Sequence, residues 1–186
     1  MATANSTGKW EMKTKVSTEN PSFSFHCVDA IEVSLYIEKQ GLMYYEKAAG
    51  EARNPRVRAI FQQLAQEEKE HIHSLQAKAR YLQPALSKKS DSRKQVDLFI
   101  TGQLKGRVFP VTKGSGRRDL PRVDSDAAAL DLGIESEKRS IEVLSELLHQ
   151  EKKIDVRVIF SHLLVEEKKH LAALEELKRS FSLKPG

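Results

Sequence analysis

The sequence predicts an all-α protein, an antiparallel bundle of four helices made from two helical hairpins joined by a long crossover. Three observations support this fold. Charged residues make up 31% of the chain and aromatic residues only 6%, which suits long helices better than a β-sandwich or barrel. Apolar residues recur every three or four positions along four long stretches. The two halves of the chain also repeat one another at a constant spacing of 99 residues.

The first hairpin is predicted over residues 26–82. Asn54 is the expected N-cap of its second helix, and Pro55 is the expected first helical residue, where proline is tolerated best. The second apolar stripe continues to about Leu82 and stops before Pro84. Because the break between the two helices is short, we expect them to be antiparallel.

The second hairpin is predicted over residues 124–182. Asp124, Ser125 and Asp126 offer N-capping side chains for the third helix. The apolar stripe of the fourth helix extends to Phe181, near the end of the chain. This hairpin therefore repeats the apolar pattern of the first.

The connection between the hairpins, residues 83–123, differs in composition from both. It contains seven glycines and prolines, and its ten Lys or Arg against three Asp give +7, whereas the whole chain carries +5. About 40 residues is long for a plain loop, so we predict a basic crossover that runs the length of the bundle. We interpret its charge as a solvated surface. The alternative is an anionic partner such as an acidic electron donor, a membrane surface or a nucleic acid, the last of which we do not expect.

Residues 1–25 are polar and have no hydrophobic period, so we predict a flexible N-terminal tail. Cys27 is the single cysteine, which excludes a disulfide framework and a Cys-x-x-Cys metal site, and we expect it to be at least half-buried at a helix start. No apolar run is long enough to cross a membrane, and the N-terminal residues lack the apolar core of a signal peptide. We therefore expect a cytoplasmic protein without membrane association.

The 99-residue repeat also aligns a set of polar residues that lie within the apolar stripes. A Glu-x-x-His pair places a carboxylate and an imidazole one turn apart on one helix face. Each hairpin has this pair in its second helix and a further glutamate 30 residues upstream, in its first helix. The six residues are Glu38, Glu68 and His71 in the first hairpin, and Glu137, Glu167 and His170 in the second.

Four inward-facing stripes would bring these four glutamates and two histidines together in the core. Four buried carboxylates without compensation would be prohibitive. Either the acids are all protonated or cations neutralise them, and two divalent ions would balance four carboxylates. Carboxylate-rich sites with one imidazole per ion suit iron or manganese, whereas structural zinc prefers sulfur. We therefore predict two metal ions, and the alternative is a former site whose polar residues form salt bridges in the core.

At these motifs the chain resembles the rubrerythrins of the ferritin-like superfamily. The resemblance covers roughly residues 28–82 and 126–180, and its motifs are Ile37–Tyr45, Leu64–His71, Ile134–Lys138 and Glu166–His170. It implies a ferritin-like bundle in which the six residues hold two iron ions that cycle between Fe2+ and Fe3+, with manganese or zinc as substitutes. It also implies reaction with hydrogen peroxide or dioxygen, and a homodimer.

Two departures from the family pattern bear on the function. The chain has no paired Cys-x-x-Cys of a rubredoxin module, so turnover would need an external, rubredoxin-like electron donor. The additional glutamate that rubrerythrins commonly carry in a Glu-x-x-Glu pattern on the third helix is also missing, because Ile134 and Ser140 flank Glu137 at a spacing of three. In addition, Leu144 stands where the first half has the aromatic Tyr45.

The resemblance therefore implies an oxidoreductase that reduces hydrogen peroxide or dioxygen, or oxidises ferrous iron. The alternative is a non-catalytic bundle that stores, senses or buffers iron and docks a partner through the crossover. Tyr45 is expected to pack in the core, with a role beside the metals as the alternative, and Tyr44 to lie at the bundle edge or a dimer contact. Glu67 and Glu166 are expected in solvent or beside the ligands, and His162 at the surface or in packing.

Overall fold

The structure, a computed structural model, describes residues 25–82, 90–109 and 124–182, and it describes side chains there except at 90–93 and 182. Within these ranges the regular structure is helical, and no strand occurs. None of the described helices is long and apolar enough to cross a bilayer. The predictions for the tail, apart from its last residue, and for both ends of the crossover lie outside the described residues.

Four long helices and one short helix make up the described part of the chain. Helix α1 packs along α2, α4 packs along α5, and the two hairpins meet mainly where α1 contacts α5. Because only three residues separate the helices within each hairpin, the partners are antiparallel. The predicted all-α bundle of two hairpins is therefore confirmed. The helices are α1 Cys27–Glu51, α2 Pro55–Leu82, α3 Ser90–Phe99, α4 Asp126–Gln150 and α5 Ile154–Ser182.

The predicted starts of α2 and α4 are correct, and their caps explain why. Asn54 Oδ1 accepts a hydrogen bond from the backbone N–H of Arg56 at 2.8 Å, and α2 then begins at Pro55. Ser125 Oγ accepts the backbone N–H of Ala128 at 3.1 Å, at the start of α4. Each side chain satisfies one of the N–H groups that the first turn of a helix leaves unpaired.

The crossover contains a helix that we did not predict. Helix α3 is followed directly by a π-helical turn, Ile100–Leu104, and this segment packs on α1. Val96, Phe99 and Leu104 are buried, and the Phe99 ring meets that of Phe25 edge-on at 5.2 Å. The apolar residues of the crossover were too few to predict a helix, but those of α3 include Val96 and Phe99, which are buried where α3 packs on α1. The described part of the crossover thus contributes residues to the core.

The same residue types build the core in both hairpins. Phe61 of α2 and Phe160 of α5 occupy equivalent positions of the repeat, and both are fully buried. Phe61 packs against the two tyrosines of α1, and Phe160 packs edge-on against Phe25 at 5.9 Å. The repeat therefore supplies each hairpin with an equivalent aromatic anchor.

Asp126 joins the turn of the first hairpin to the start of α4, because its carboxylate accepts the backbone N–H groups of Arg53 at 2.9 Å and Asn54 at 2.7 Å. We expect Asp126→Ala to lower the free energy of unfolding by about 1–3 kcal/mol, since it leaves two N–H groups without these acceptors. Urea denaturation measures this loss. Asp131→Ala, at an exposed ion pair with Lys178, is the control and should change stability by less than about 1 kcal/mol. Equal effects of the two replacements would contradict the linking role of Asp126.

Candidate metal centre

All four long helices contribute to one cluster of polar side chains inside the bundle. The cluster contains the six residues that the repeat singled out, with Glu38 from α1, Glu68 and His71 from α2, Glu137 from α4, and Glu167 and His170 from α5. The four carboxylates and one of the imidazoles are at most 3% exposed. His71 differs, because its side chain is 21% exposed. The inward stripes therefore bring these residues together as predicted, although whether they ligate a metal remains a prediction.

The six residues form two groups with the geometry of metal positions, in each of which the candidate ligand atoms all lie within 4.8 Å of one another. One group, here called the closed position, is fully buried and consists of Glu68, Glu137, Glu167 and His170. The other, here called the open position, consists of Glu38, Glu68 and His71. Glu68 belongs to both groups, so its carboxylate lies where it could bridge two ions.

Both histidines turn the same nitrogen towards the carboxylates. His170 Nδ1 lies 3.5 Å from Glu68 Oε1, 3.7 Å from Glu137 Oε1 and 3.6 Å from Glu167 Oε2. His71 Nδ1 lies 3.5 Å from the carboxylate of Glu38. The two imidazole rings are nearly parallel, at an angle of 19°, with centroids 5.8 Å apart. Each histidine thus offers one nitrogen to its own metal position.

The other nitrogen of each histidine faces a glutamate of the opposite hairpin. His170 Nε2 lies 3.3 Å from Glu67 Oε2, and His71 Nε2 lies 3.8 Å from Glu166 Oε2. A carboxylate beside one nitrogen favours the tautomer with its proton there, which leaves Nδ1 free to bind a metal. Glu67 and Glu166 were expected either in solvent or beside the ligands, and the structure places both beside the histidine ligands.

Two hydroxyl groups hold the carboxylates of the second hairpin. Tyr45, which is fully buried, donates to Glu137 Oε1, so this tyrosine contacts a candidate ligand as well as packing in the core. Ser140 Oγ donates to Glu167 Oε1 at 2.6 Å. Ser140 stands at the position where a Glu-x-x-Glu pattern would place its second glutamate. A hydroxyl that orients a ligand therefore occupies the place of an additional carboxylate.

Our expectation for Tyr44 was wrong. Its side chain is only 3% exposed, and its hydroxyl donates to the backbone carbonyl of Ala129 on α4. A Cβ atom at Gly133 would lie 3.4 Å from the Tyr44 ring, so this glycine lets the ring pack closely against α4. Tyr44 therefore ties the two hairpins together inside the bundle.

A cavity of 190 Å³ lies next to the open position. Glu38 and His71 line it together with apolar side chains of α2 and α5, and His162 also contributes. The cavity is thus a place where a small molecule could approach the open position. The complete lining is Glu38, His71, Ser74, Leu75, Lys78, Val158, Ile159, His162 and Leu163.

The site's own polar atoms fit bound cations. Oε2 of Glu38, Glu68 and Glu137 is buried without a hydrogen-bond partner among the described residues, as is His170 Nδ1, the ring nitrogen that faces the carboxylates. Buried polar atoms in native proteins are nearly always satisfied, and a buried charge needs a partner. Two divalent cations would satisfy the carboxylate oxygens and His170 Nδ1, and would also balance the charge of the glutamates.

The profile of the rubrerythrin family matches residues 29–178, about four-fifths of the chain. This chain belongs to the rubrerythrin family. Its fold is similar to a solved two-domain protein from Anabaena variabilis that contains a DJ-1/ThiJ/PfpI-like domain and a ferritin-like domain, with a TM-score of 0.59 and 14% sequence identity. That similarity covers 86% of this chain and 40% of the other. No curated protein matches the chain significantly.

In this rubrerythrin-family site, burial and neighbouring groups shift the pKa values of the glutamates unequally. Burial raises the pKa of Glu38 to about 7, although contact with His71 opposes the rise. Burial, together with the charge of Glu167, holds the pKa of Glu137 well above its usual value. For Glu167 burial acts in the same direction, but contact with His170, together with hydrogen bonds from Glu137 and Ser140, outweighs it and lowers the pKa. Without a bound metal, these shifts favour the protonated form of Glu137 and the ionised form of Glu167.

These shifts predict that the metal-free protein becomes less stable as the pH rises. The raised pKa of Glu38 lets the folded state bind more protons than the unfolded state between about pH 4.5 and 7, which costs about 3 kcal/mol once the pH exceeds 7. Glu137 acts in the same direction, as does His71, whose pKa is raised chiefly by Glu38, and Glu167 opposes them. We expect urea denaturation with a chelator present to give a lower free energy of unfolding at pH 8 than at pH 5. Glu38→Gln should flatten this dependence, and a native stability that rises with pH would refute the prediction.

Sequence analysis did not single out Gly41 or Ser140 as site residues. A Cβ atom added at Gly41 would lie 2.5 Å from Glu68 Oε1, so the glycine makes room for this carboxylate. Gly41 and Ser140 are 99 residues apart and so occupy equivalent positions of the repeat. Their alignment in the repeat could have indicated them as site residues. It was overlooked because glycine and serine are not typical metal ligands.

Proposed function

We propose that this protein binds two iron ions in the bundle and is an oxidoreductase that reduces hydrogen peroxide or dioxygen, or oxidises ferrous iron. The observation that carries the proposal is the pair of candidate ligand groups inside the bundle that share Glu68. Membership in the rubrerythrin family supports iron as the metal, and manganese or zinc could substitute. When bound, the two ions would supply redox chemistry by exchanging electrons between Fe2+ and Fe3+.

Different sets of residues would hold the ions at the two positions. Glu68, Glu137, Glu167 and His170 would hold one ion away from solvent. Glu38 and His71 would hold the other together with Glu68, at the wall of the cavity through which a small oxidant could enter.

The electrons would come from outside the chain. A rubredoxin-type iron site needs paired cysteines, and Cys27 is the single cysteine of the sequence. We propose a separate rubredoxin-like protein as the donor. We also propose a cytoplasmic homodimer that associates with neither nucleic acid nor a membrane.

A second candidate function is iron handling without turnover, in which the same ligands store, sense or buffer metal and the basic crossover docks a partner. The observation that favours it is Ser140, because a neutral hydroxyl there leaves the site without an additional carboxylate. Both functions require the same metal site, so an experiment can distinguish them only after the metals have been loaded.

The deciding experiment loads the metal-free protein with ferrous iron under anaerobic conditions and then adds hydrogen peroxide. The oxidoreductase proposal expects two ferrous ions per chain, oxidation faster than that of free ferrous iron, and repeated cycles when a rubredoxin-type donor and its reductase are supplied. Iron handling without turnover expects a single round of slow oxidation. Failure to bind two ions would refute both functions.

A further inference from the structure

The cavity beside the open position is much larger than hydrogen peroxide or dioxygen requires. Its volume is 190 Å³. A single water molecule fits into about 10–15 Å³, whereas an apolar cavity of about 150 Å³ holds a benzene molecule. The space therefore suits an organic molecule with a group at least as large as a phenyl ring.

The order of groups along this cavity follows from the way in which α2 and α5 lie side by side. Arg56, near the start of α2, donates a hydrogen bond to Ser180, near the end of α5, at 3.2 Å. Further along α2, His71 faces Glu166 of α5 at 3.8 Å. The two helices are therefore antiparallel, and the residues that follow His71 on α2 lie opposite those that precede Glu166 on α5.

Three zones follow one another along the cavity. Glu38 and His71 of the open position form the first zone. One turn further along α2, Leu75 makes the wall apolar, together with Leu163 of α5. Lys78 adds a cation about 10 Å of helix beyond His71. A ligand that fills all three zones has a reactive group, an apolar body and an anionic group, in that order.

The third zone is open to solvent and carries an uncommitted charge. Lys78 is exposed, and no ion pair with another described residue engages its ammonium group. Val158 of α5 lines the same cavity and is 62% exposed, so a bound apolar group would cover it. Apolar walls with a few polar groups that fix the orientation of a ligand are typical of small-molecule sites.

We propose that this cavity binds an organic hydroperoxide with a carboxylate and an apolar body of about phenyl size, and that the site reduces it in preference to hydrogen peroxide. This inference rests on the proposed function and names its substrate class. The hydroperoxide group lies at the open position, the apolar body beside Leu75 and Leu163, and the carboxylate near Lys78. In the reaction the O–O bond breaks, two protons are taken up, and an alcohol and one water molecule are released. The two electrons come from the oxidation of two Fe2+ to Fe3+.

The first test measures binding alone, by isothermal titration calorimetry of the full-length protein with para-carboxy cumyl alcohol. This probe has the apolar body and the carboxylate, with an unreactive hydroxyl group in place of the hydroperoxide. We expect one molecule to bind per chain. Val158→Trp, which puts an indole ring into the cavity, should weaken binding by about 10- to 200-fold. Lys78→Gln should weaken binding of this probe by about two- to fivefold and leave the affinity for uncharged cumyl alcohol unchanged.

Val165→Trp is the matched control for the indole ring. Val165 lies two turns after Val158 on α5 and is 51% exposed, but it does not line the cavity, so probe affinity should not change. Because both valines are exposed, both variants should fold, and thermal denaturation monitored by circular dichroism confirms it.

The second test compares two peroxides, using the iron-loaded protein and a rubredoxin-type donor. We expect para-carboxy cumene hydroperoxide to give a higher kcat/KM than hydrogen peroxide, and Val158→Trp to lower the ratio of the two values by at least about tenfold. Failure of the native protein to bind the probe would overturn the inference, and so would equal losses for both peroxides in Val158→Trp. Hydrogen peroxide turnover without probe binding would leave the proposed function intact. Probe binding without turnover of either peroxide would refute the proposed oxidoreductase function, and with it the reduction step, but not the binding site.

Discussion

Glu68→Gln is expected to abolish binding of both metal ions, although it replaces one carboxylate among four. Glu68 is the residue that the closed and open positions share, so its loss removes a charged ligand from each of them. Replacing residues that merely support a ligand typically costs ten- to a hundredfold in metal affinity, so we expect a loss of more than about a hundredfold here. Metal content after equilibrium dialysis measures the effect. Because glutamine has the shape of glutamate, the fold should persist.

Glu70→Gln is the matched control for this experiment. Glu70 lies two residues away on the same helix, but it is exposed and accepts a hydrogen bond from Gln66 at 2.9 Å. We expect this variant to bind two ions as the native protein does. Retention of one tightly bound ion in Glu68→Gln would show that the two positions do not depend on a common ligand, and it would contradict the bridging role.

The largest expected effect on stability follows the replacement of Phe61 by alanine. The ring is fully buried between α1 and α2, where it stacks on Tyr45 at 6.0 Å and meets Tyr44 edge-on at 6.1 Å. Removing a buried phenylalanine leaves a cavity and typically costs about 3–5 kcal/mol, and we expect a loss in this range. Urea denaturation of the metal-free protein measures it. Phe160→Ala, at the equivalent position of the repeat, should cost a similar amount.

Val158→Ala is the control for the aromatic anchors. Val158 lies on α5, two residues before Phe160, but it is 62% exposed, so we expect a change within about 0.5 kcal/mol. A loss below about 1 kcal/mol in Phe61→Ala would mean that the core closes over the missing ring. Since Tyr45 donates to Glu137 and rests on Phe61, the same variant should also weaken metal binding.

Much of the fold could be predicted because its signals are local. Asn54, Pro55 and Ser125 mark helix starts through their own backbone chemistry, and the apolar period gives the buried face of each long helix. Helix α3 could not be predicted in this way. Its burial depends on contact with α1, a distant part of the chain, and its own apolar residues are few.

The candidate ligands could be predicted because a charged residue within an apolar stripe is costly, and the repeat shows the same exception twice. Their division into two groups could not be predicted, because the 99-residue repeat makes the ligands of the two hairpins equivalent in sequence. The structure places Glu68 in both groups and Glu167 in only one. Our prediction for Tyr44 was wrong for a related reason. Its environment depends on Gly133 of the other hairpin, which a pattern along one helix does not reveal.

The amino-acid sequence by itself determined the helical hairpins, their duplication and the six residues directed into the core, because periodicity, capping and charge act over a few neighbouring residues. Only the tertiary structure decided that the two candidate metal positions are unequal, since Glu68 belongs to both groups and Glu167 to one. Glu68 lies against Gly41 where α2 meets α1, and Glu167 accepts a hydrogen bond from Ser140 where α5 meets α4. Whether a carboxylate can be shared depends on space and hydrogen bonds between helices, and these exist only after the helices have packed.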